Sequence, residues 1–587
     1  MNVIQKTKTY LKTLGKFIGP GFMIAVGYLD PGNWATDMEG GSSYGYRLLF
    51  IILISNVIAV FLQNLTIRLG TVSGLDLASA SKKFFPRWLN LFLYVLAEIA
   101  IIATDIAEVI GSAIALNLLF PSLPLPAGVA ITAADVFIIL LFYTEETDDP
   151  ENPNSDSASL KMVRCFEVFV MMLVAAVGIC FIIELSYSDI VTVDVFKGFL
   201  PTKEIFTQPD ILYVAIGIIG ATVMPHNLYL HSFIVQARCR EWRYNRPRVV
   251  QSDDTWLIKS IERIPTPTPI TDNEKNHTTV HVEPHSGINF DRLTTYLDKS
   301  LKRNLHYGFI DLIVALSFAF FVNCAILIVA SANFFYGPDN QQQQVQDLFS
   351  AHALLMQYLG PPAAVVFALA LLCAGQSSTL TATLAGQVIM SGFLGMTTKP
   401  WIRRVLTRSI AIIPAMVAAC VTGREGLSSM LVGSQVALSI QLPFAVVPLV
   451  YFTARKSAMK LDLVVQVKSL ENEPIKVTEQ SQMSFIDRTV ARCRFSNTKS
   501  DWLSFPQFSK MNKELKKPQA SLKTSETPSP SSLSEEEEEV KVYEEMDSWP
   551  TPLFYANSLI SNIFAVLIAL LLIGLNGYLV VSLFMSI

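Results

Sequence analysis

Long apolar stretches separated by short polar segments make up most of this chain. About eleven of the stretches reach the roughly 20 residues that an α-helix needs to cross a bilayer. They lie near residues 17–38, 47–67, 91–119, 126–143, 163–185, 211–235, 306–335, 361–393, 405–422, 428–453 and 556–584. The pattern predicts an all-α integral membrane protein whose main partner is the lipid bilayer.

Charge is scarce, and it is concentrated between the apolar stretches. Only 16% of the residues are charged, whereas a soluble globular chain averages roughly 25%. The formal net charge is −4, and no basic stripe with interleaved aromatic residues is present, which argues against a nucleic-acid partner. Most of the seven cysteines lie in apolar stretches and none forms a CxxC pair, which argues against a disulfide framework or a zinc ribbon.

The basic residues predict which loops face the cytosol. Lysine and arginine are concentrated in every second loop, beginning near Lys82, whereas an intervening loop such as 121–126 carries none. The positive-inside rule then places the N-terminus inside and, for an odd number of spans, the C-terminus outside. The inside segments 144–159, 241–304 and 455–555 are polar and charged, and we expect them to be disordered.

The first predicted span is interrupted near its middle by Asp30-Pro31-Gly32-Asn33. Pro31 lacks a backbone donor and Gly32 removes the steric preference for helix, so we expect the helix to break here. Asp30 lies about a dozen residues from the inside end, which at ~1.5 Å per residue is close to the middle of the membrane. A lone carboxylate at that depth is costly and indicates a functional site.

The sixth predicted span carries a matching interruption at Met224-Pro225-His226-Asn227. Met224, like Asp30, falls about a dozen residues from the start of its span. A single proline in a membrane helix is often no more than a kink. Two interruptions at corresponding positions instead indicate an inverted-repeat transporter with a site at the membrane midplane.

The paired interruptions predict how the chain is divided. The expected parts are a cytosolic N-terminus (1–16), a first repeat (17–185) that contains the acidic loop 144–159, a second repeat (186–454) that contains the insert 241–304, a disordered cytosolic segment (455–555) and a last helix (556–587). The second repeat would run in the opposite direction to the first across the membrane.

The side chains at the two breaks predict the class of substrate. Asp30 supplies negative charge, Asn33 a neutral oxygen and Met224 a thioether. A thioether has little affinity for Mg²⁺ or Ca²⁺ but suits softer divalent transition-metal ions. A methionine in a membrane helix is usually packing, but a position opposite an aspartate at a helix break favours coordination.

Glu98, Asp105 and Glu108 fall on one face of the third predicted span, because residues three and seven apart align on a helix. Carboxylates on one face of a membrane helix suit a proton pathway. The alternative is a set of structural hydrogen bonds to neighbouring helices. His226, beside the second break, could move protons or hold the break open, and the sequence does not separate these roles.

Other polar groups permit two interpretations. Small and hydroxyl residues at 375–387 in the eighth span are typical of close helix packing. Gln435 and Gln441 in the tenth span either line a pathway or bond across helices. The histidine-rich stretch 277–285 in the insert is interpreted as linker rather than as a site for cytosolic metal capture.

These motifs resemble those of the Nramp family of divalent metal–proton symporters. The motifs at 30–33 and 224–227 look like that family's two signatures. The stretch 375–387 looks like its transport motif, with Ala382 where glycine is expected. The resemblance extends over nearly all the spans but not over the loops and the tail. The long insert and tail suggest a eukaryotic source, with fungi as a candidate, and regulatory proteins that bind the inside segments.

The resemblance implies a LeuT-type five-plus-five inverted repeat with broken helices 1 and 6 and one extra C-terminal helix. It implies metal ligation by Asp30, Asn33, Ala221 (through its carbonyl) and Met224, with Gln435 joining in an occluded state. It implies a proton route through Asp30, His226, Asp105 and Glu108, with Glu98, Arg403 and Arg404 as further members. The expected activity is proton-coupled symport of Mn²⁺ and Fe²⁺, with Co²⁺ and Cd²⁺ as passengers, into the cytosol by alternating access.

Three other functions compete with this interpretation. An amino-acid transporter of the same fold would need neutral groups at the first break, where this chain has Asp30. A magnesium transporter should lack the thioether of Met224, and a receptor built on a transporter scaffold need not keep either ligand. We expect no enzyme activity and no cofactor, because metal ions and protons are the cargo. The sequence leaves the plasma membrane, the endosomal membrane and the vacuolar membrane open as locations.

Overall fold

The computed structural model describes most of the chain outside the long polar segments. The described residues are 10, 14, 19–142, 175, 178, 179, 181, 182, 185, 186, 188, 190–236, 248–252, 255–259, 290–336, 347–395, 400–421, 423–461, 466–468, 544–545 and 553–585. Most of the predicted fifth span at 163–185, the acidic loop 144–159 and most of the N-terminal segment 1–16 therefore lie outside the described residues.

Helices dominate the described part of the chain. They are α1 (Pro20–Gly27), α2 (Pro31–Tyr44), α3 (Leu49–Arg68), α4 (Leu77–Phe84), α5 (Arg87–Leu119), α6 (Leu125–Phe142), α7 (Thr192–Gly198), α8 (Lys203–Thr207), α9 (Pro209–Val223), α10 (Pro225–Ile234), α11 (Phe290–Ala330), α12 (Leu348–Leu359), α13 (Pro361–Leu394), α14 (Pro400–Val421), α15 (Gly423–Ala454) and α16 (Leu559–Met585). A 3₁₀ turn lies at Gly45–Leu48, and π turns lie at Leu69–Ser73 and Ser331–Phe335. The predicted all-α class is confirmed.

Every predicted span except the fifth coincides with a described helix or with two half-helices. α1 and α2 form the first span, and α9 and α10 form the sixth, each broken where the sequence predicts. Seven helical stretches among the described residues are long and apolar enough to cross a membrane, the first of them combining α2 and α3. The shorter α6 and α14 coincide with the remaining predicted spans. The prediction of a multi-pass membrane protein is confirmed.

Two segments predicted to be disordered contain regular structure. In 241–304, α11 already begins at Phe290, and strands β1 (Arg248–Ser252) and β2 (Thr255–Lys259) pair antiparallel. In 455–555 lie β3 (Lys460–Leu461), β4 (Gln466–Lys468), β5 (Glu544–Glu545) and β6 (Leu553–Phe554), with a four-stranded order of β2-β1-β4-β5 and a separate β3–β6 pair. The prediction of disorder is therefore wrong at these residues. Short apolar runs such as Trp256-Leu257-Ile258 favour strands, although the average composition of each segment is polar.

The segment that leads into α16 is tied to other helices. The Arg68 Nη2 atom at the end of α3 donates to the Tyr555 carbonyl oxygen at 3.0 Å. The Asn557 Nδ2 atom donates to the Thr453 Oγ1 atom of α15 at 2.9 Å. The Tyr555 hydroxyl donates to the Asp298 carboxylate of α11. These bonds fix the start of the last helix against three others.

The broken helices lie inside the bundle. α1 and α2 both contact α11, α9 contacts α15, and α10 contacts α13. Gly111 of α5 lies so near the first break that a Cβ atom there would be 2.2 Å from the Pro31 Cβ atom. Because Gly111 has no side chain, the first break can pack directly against α5, the helix that carries the predicted proton-pathway carboxylates.

Candidate metal centre

The first break places a carboxylate at the start of a half-helix. α1 ends at Gly27 and α2 begins at Pro31, with Asp30 as its N-cap residue. The Asp30 Oδ1 atom accepts from the Asn33 backbone N–H at 3.0 Å and from the Asn33 Nδ2 atom at 2.6 Å. Proline suits the first helical position because the N–H it lacks would have no partner within the helix. Asp30 is 1% exposed, so its carboxylate is buried.

At the second break, the backbone leaves the helical conformation at Met224, between α9 and α10. Its φ is 35°, and it is the only residue other than glycine in the described structure that has a positive φ. Such a backbone costs about 1–3 kcal/mol and is characteristic of functional sites. The Ala221 carbonyl would normally accept from the residue four positions on, but that residue is Pro225 and has no N–H. The Ala221 oxygen instead accepts from the Asn33 Nδ2 atom at 3.0 Å, which joins the two breaks.

Gln435 reaches the site from α15. A Cβ atom on Gly32 would lie 1.9 Å from the Gln435 Nε2 atom and 2.9 Å from the Asp30 Oδ2 atom. The amide of Gln435 therefore lies directly over Gly32, next to the carboxylate. Glycine is required at position 32 because any side chain would displace this amide. The predicted participation of Gln435 in the site agrees with this placement, although ligation itself stays a prediction.

Three buried oxygens at this point have no hydrogen-bond partner among the described residues. They are Asp30 Oδ2, Asn33 Oδ1 and Gln435 Oε1. Buried polar atoms in folded proteins are nearly always hydrogen-bonded, so unpartnered oxygens that lie together need another explanation. Carboxylate and amide oxygens are ligands for divalent cations. The arrangement fits an ion that arrives as cargo.

Met224 adds a sulfur atom to these oxygens. Its side chain is 1% exposed, and the Asn227 Nδ2 atom lies 3.4 Å from the Met224 Sδ atom. The same Asn227 amide packs against Gly27 at the end of α1, where a Cβ atom would lie 2.9 Å from Nδ2. The thioether therefore lies beside the first break. Within the described residues, no group of three His, Cys, Asp or Glu side chains could hold a metal, so an ion held at the breaks would depend on neutral donors around the Asp30 carboxylate.

The structure places His226 against α5, the helix that carries the carboxylates of the predicted proton pathway. The Thr104 Oγ1 atom of α5 and the His226 Nδ1 atom lie 3.2 Å apart. Asp105 and Glu108 of the same helix are buried, and Glu98 is half-buried. His226 thus lies against the buried part of the helix that carries Asp105 and Glu108. Arg403 and Arg404 lie in α14, and their side chains are outside the described part of the structure.

A comparison with known protein families decides the membership of this chain. The sequence model described as "Natural resistance-associated macrophage protein-like" matches residues 21–152 and 157–466. This chain belongs to the Nramp family. The resemblance inferred from the motifs at the two breaks is confirmed.

Several proteins similar to this Nramp protein are named as transporters. The manganese transporter SMF1 of Saccharomyces cerevisiae is 44% identical over 453 residues, which cover 77% of this chain and 73% of SMF1. The divalent metal cation transporter MntH of Brucella suis is 42% identical over 444 residues, which cover 76% of this chain and 81% of MntH. The crystal structure of the Eremococcus coleocola manganese transporter with an aromatic bis-isothiourea compound gives a TM-score of 0.58 at 28% identity, covering 97% of this chain and 95% of that one.

These similarities settle the broad predictions. They confirm a LeuT-like fold and a membrane transporter of metal ions rather than an enzyme. The predicted membership of the family is borne out over most of the chain. The individual ligands, the proton route and the identity of the membrane stay predictions.

This Nramp protein also contains a buried polar network that the sequence analysis missed. The His231 Nδ1 atom lies 2.8 Å from the Gln63 Oε1 atom and 3.2 Å from the Thr66 Oγ1 atom. The Gln63 Nε2 atom donates to the Tyr28 hydroxyl at 3.1 Å, and the Asn323 Nδ2 atom donates to the Tyr28 carbonyl at 3.3 Å. The network links α3, α10 and α11 to the end of α1. The signal was the polar pair Gln63-Asn64 in a largely apolar span, which on its own does not name a partner.

Two buried aspartates were missed as well. Asp311 of α11 accepts from the Gly21 backbone N–H at 2.9 Å and from the Gly19 N–H at 3.3 Å, at the start of α1. Asp37 of α2 is 1% exposed. Both are carboxylates within or at the edge of predicted spans, the same signal that identified Asp30. They were overlooked because no proline or glycine break accompanies them.

Three further polar groups were singled out from the sequence: the stretch 375–387, Gln441 and the stretch 277–285. Gly375 of α13 packs against α5, where a Cβ atom would lie 2.2 Å from the Ser112 Oγ atom, as expected for close packing in 375–387. Gln441 of α15 is buried, and its Oε1 atom has no hydrogen-bond partner among the described residues. The stretch 277–285 lies outside the described residues.

Proposed function

We propose that this Nramp protein carries Mn²⁺ and Fe²⁺ into the cytosol together with protons. The observation that carries the proposal is the set of buried oxygens of Asp30, Asn33 and Gln435, which have no hydrogen-bond partners in the described structure, beside the Met224 thioether. Two similar proteins named as manganese transporters support the choice of manganese. Co²⁺ and Cd²⁺ accept the same mixed donor set and are expected passengers.

The proposed ligands fit an ion that must be released again. Asp30 is the only charged ligand, and the neutral donors are Asn33 Oδ1, Gln435 Oε1, the Ala221 carbonyl and the Met224 sulfur. One carboxylate balances only half of the charge of a divalent ion, so binding is favourable without being irreversible. Transport requires such a compromise, because a site that binds too tightly does not release its ion.

Protons would move along α5. A divalent ion beside Asp30 repels a proton from that carboxylate, and His226 contacts Thr104, the neighbour of Asp105. Buried carboxylates and histidines form the proton relays of many transporters. Asp105 and Glu108 are therefore proposed to carry the proton, with Glu98, Arg403 and Arg404 further along the route.

Movement of the broken helices would expose the ion to each side in turn. Interrupted helices allow one half to move while the other stays packed. The short α1 is held by Asp311 and by the polar network around Tyr28. We propose that these contacts close the transport pathway on its cytosolic side. The protein would work in the plasma membrane or in an endosomal or vacuolar membrane, with the inside segments as contact points for regulatory proteins.

Liposomes that contain the purified protein test this function. A metal-sensitive dye and a pH-sensitive dye inside the vesicles should report Mn²⁺ and Fe²⁺ uptake accompanied by acidification. Neither Mg²⁺ nor alanine should enter. Mn²⁺ uptake without acidification would contradict proton coupling alone, and uptake of Mg²⁺ or alanine instead of Mn²⁺ would contradict the proposed substrate class.

A further inference from the structure

A second buried carboxylate follows Asp30 on the same half-helix. Asp37 lies seven positions after Asp30, and residues that far apart share one face of a helix. Its side chain is 1% exposed. The Asp37 Oδ2 atom has no hydrogen-bond partner among the described residues. An ionisable group at membrane depth with an unsatisfied oxygen indicates a position on an ion pathway.

The face of α2 that carries Asp37 packs against α11. One turn further along α2, a Cβ atom on Gly41 would lie 2.5 Å from the Leu327 carbonyl oxygen and 2.9 Å from the Ala330 Cβ atom. One turn earlier on α11, and therefore on the same face as Leu327, lies Cys324, which is 6% exposed. The neighbouring Asn323 bonds to the Tyr28 carbonyl, just before Asp30. Asp37 and Cys324 thus lie on the faces by which α2 and α11 pack together, close to the first break.

We propose that Asp37 and Cys324 form a second binding station for soft divalent ions such as Cd²⁺, on the outer side of the Asp30 site. The station rests on the proposed transport function, because its ligand is an ion on the way to Asp30. The Asp37 Oδ2 atom supplies one donor and the Cys324 sulfur another, and retained water completes the coordination. The thiol proton is released to the solvent as the metal–sulfur bond forms.

The chemistry of the pair predicts selectivity. Thiolate sulfur favours soft ions, whereas carboxylate and carbonyl oxygens suit Mn²⁺. The pair should therefore retain Cd²⁺ longer than Mn²⁺. A buried cysteine is by default a small hydrophobic residue, but that role does not account for the unpartnered oxygen of Asp37 on the adjoining helix face. Cys373 of α13, a partly buried thiol on a different helix, is a matched comparison.

Inhibition of Mn²⁺ uptake by Cd²⁺ tests the station. In proteoliposomes, the Cd²⁺ concentration that halves uptake, measured relative to the uninhibited uptake of each variant, should rise roughly tenfold for Cys324→Ala. It should also rise for Asp37→Asn, and it should not change for Cys373→Ala. Equal Cd²⁺ sensitivity of Cys324→Ala and Cys373→Ala would overturn the station. It would leave the proposed function intact, because that function is read from Mn²⁺ uptake by the parent protein.

A measurement on the unmodified protein guards against a variant that fails to fold. The labelling of Cys324 by methyl methanethiolsulfonate can be followed by mass spectrometry, with Cys373 as the internal reference. Cd²⁺ should slow the labelling of Cys324 severalfold, and Mn²⁺ should slow it less. Labelling that is unaffected by Cd²⁺, or the absence of any labelling of Cys324, would contradict the station, because an ion must be able to reach the thiol.

Discussion

The Asn33 Nδ2 atom donates to the Ala221 carbonyl oxygen at 3.0 Å, across the two broken helices. The same nitrogen donates to the Asp30 Oδ1 atom at 2.6 Å. Asn33 Oδ1 is left without a hydrogen-bond partner among the described residues. One amide therefore holds a carboxylate and a backbone carbonyl from different parts of the chain in a fixed relation, with its own oxygen available to an ion.

Replacing Asp30 tests the charge at this site. Asp30→Ala should reduce Mn²⁺ uptake to background while the protein still folds and reaches the membrane. The change removes the only charged ligand proposed at this site, and a desolvated divalent ion needs one nearby. Uptake and the amount of protein in the membrane are measured together, with Asp194→Ala as a control that removes a partly exposed aspartate away from the two breaks. Normal Mn²⁺ uptake by correctly localised Asp30→Ala would rule out the site.

Gly32 tests the placement of Gln435. A Cβ atom at position 32 would lie 1.9 Å from the Gln435 Nε2 atom, so Gly32→Ala should push the amide away from Asp30. We expect the apparent affinity for Mn²⁺ to fall roughly tenfold or more, as for loss of a group that orients a metal ligand. Gly433→Ala on α15 is the control, because nothing lies within 4 Å of its added Cβ atom. Equal affinities for the two variants would show that Gln435 does not contribute to binding.

Asp105 tests the proton route. Asp105→Asn keeps the shape of the side chain but cannot carry a proton, so proton influx should slow or uncouple while metal still binds. Acidification inside vesicles reports proton flow, and calorimetry with Mn²⁺ reports binding. If proton influx and its pH dependence match those of the parent, Asp105 has a structural part instead.

Asp311 tests how α1 is held. Its carboxylate accepts from the Gly19 and Gly21 backbone N–H groups at the start of α1. Loss of such a cap costs about 0.5–2 kcal/mol, so Asp311→Ala should speed amide hydrogen exchange in α1 by roughly two- to thirtyfold. Asp347→Ala, which removes the N-cap of α12, should leave exchange in α1 unchanged. Unaltered exchange in Asp311→Ala would show that α1 is held mainly by packing.

The sequence identified the two breaks because local chemistry determines them. Pro31 and Pro225 lack backbone donors, and a lone aspartate or a chain of polar groups in an apolar span needs a function. Such effects act within a few residues and are readable without the fold. The class of substrate followed in the same way from the sulfur of Met224 and the charge of Asp30.

Contacts between distant helices were not readable in this way. The placement of Gln435 over Gly32 depends on how α15 crosses the first break, and the bond between His231 and Gln63 depends on the approach of α10 to α3. The strands at 248–252 and 255–259 depend on pairing with each other, which outweighs the polar average of the insert. Tertiary packing decides these features, and one sequence does not reveal it.

The thioether of Met224 makes the most specific prediction. Met224→Ala should cost Mn²⁺ and Fe²⁺ only modest affinity, because a thioether is a weak donor to them. Selectivity is a difference between affinities and often depends on a feature that rejects the wrong ligand. Calcium and magnesium prefer oxygen ligands, and magnesium in particular keeps several bound waters. Met224 places sulfur where they would keep water, so its removal leaves room for a ligand that they accept.

The Met224→Ala protein should therefore still move Mn²⁺, lose most of its affinity for Cd²⁺, and admit or be inhibited by Ca²⁺ or Mg²⁺. Competition curves for each ion, measured at one pH and one membrane potential, compare it with the parent protein. Met38→Ala is the matched control, because Met38 is another buried methionine on α2 and is not a proposed ligand. If Met224→Ala rejects Ca²⁺ and Mg²⁺ as the parent does and keeps its Cd²⁺ affinity, Met224 is packing, and selectivity must come from the geometry of the oxygen ligands.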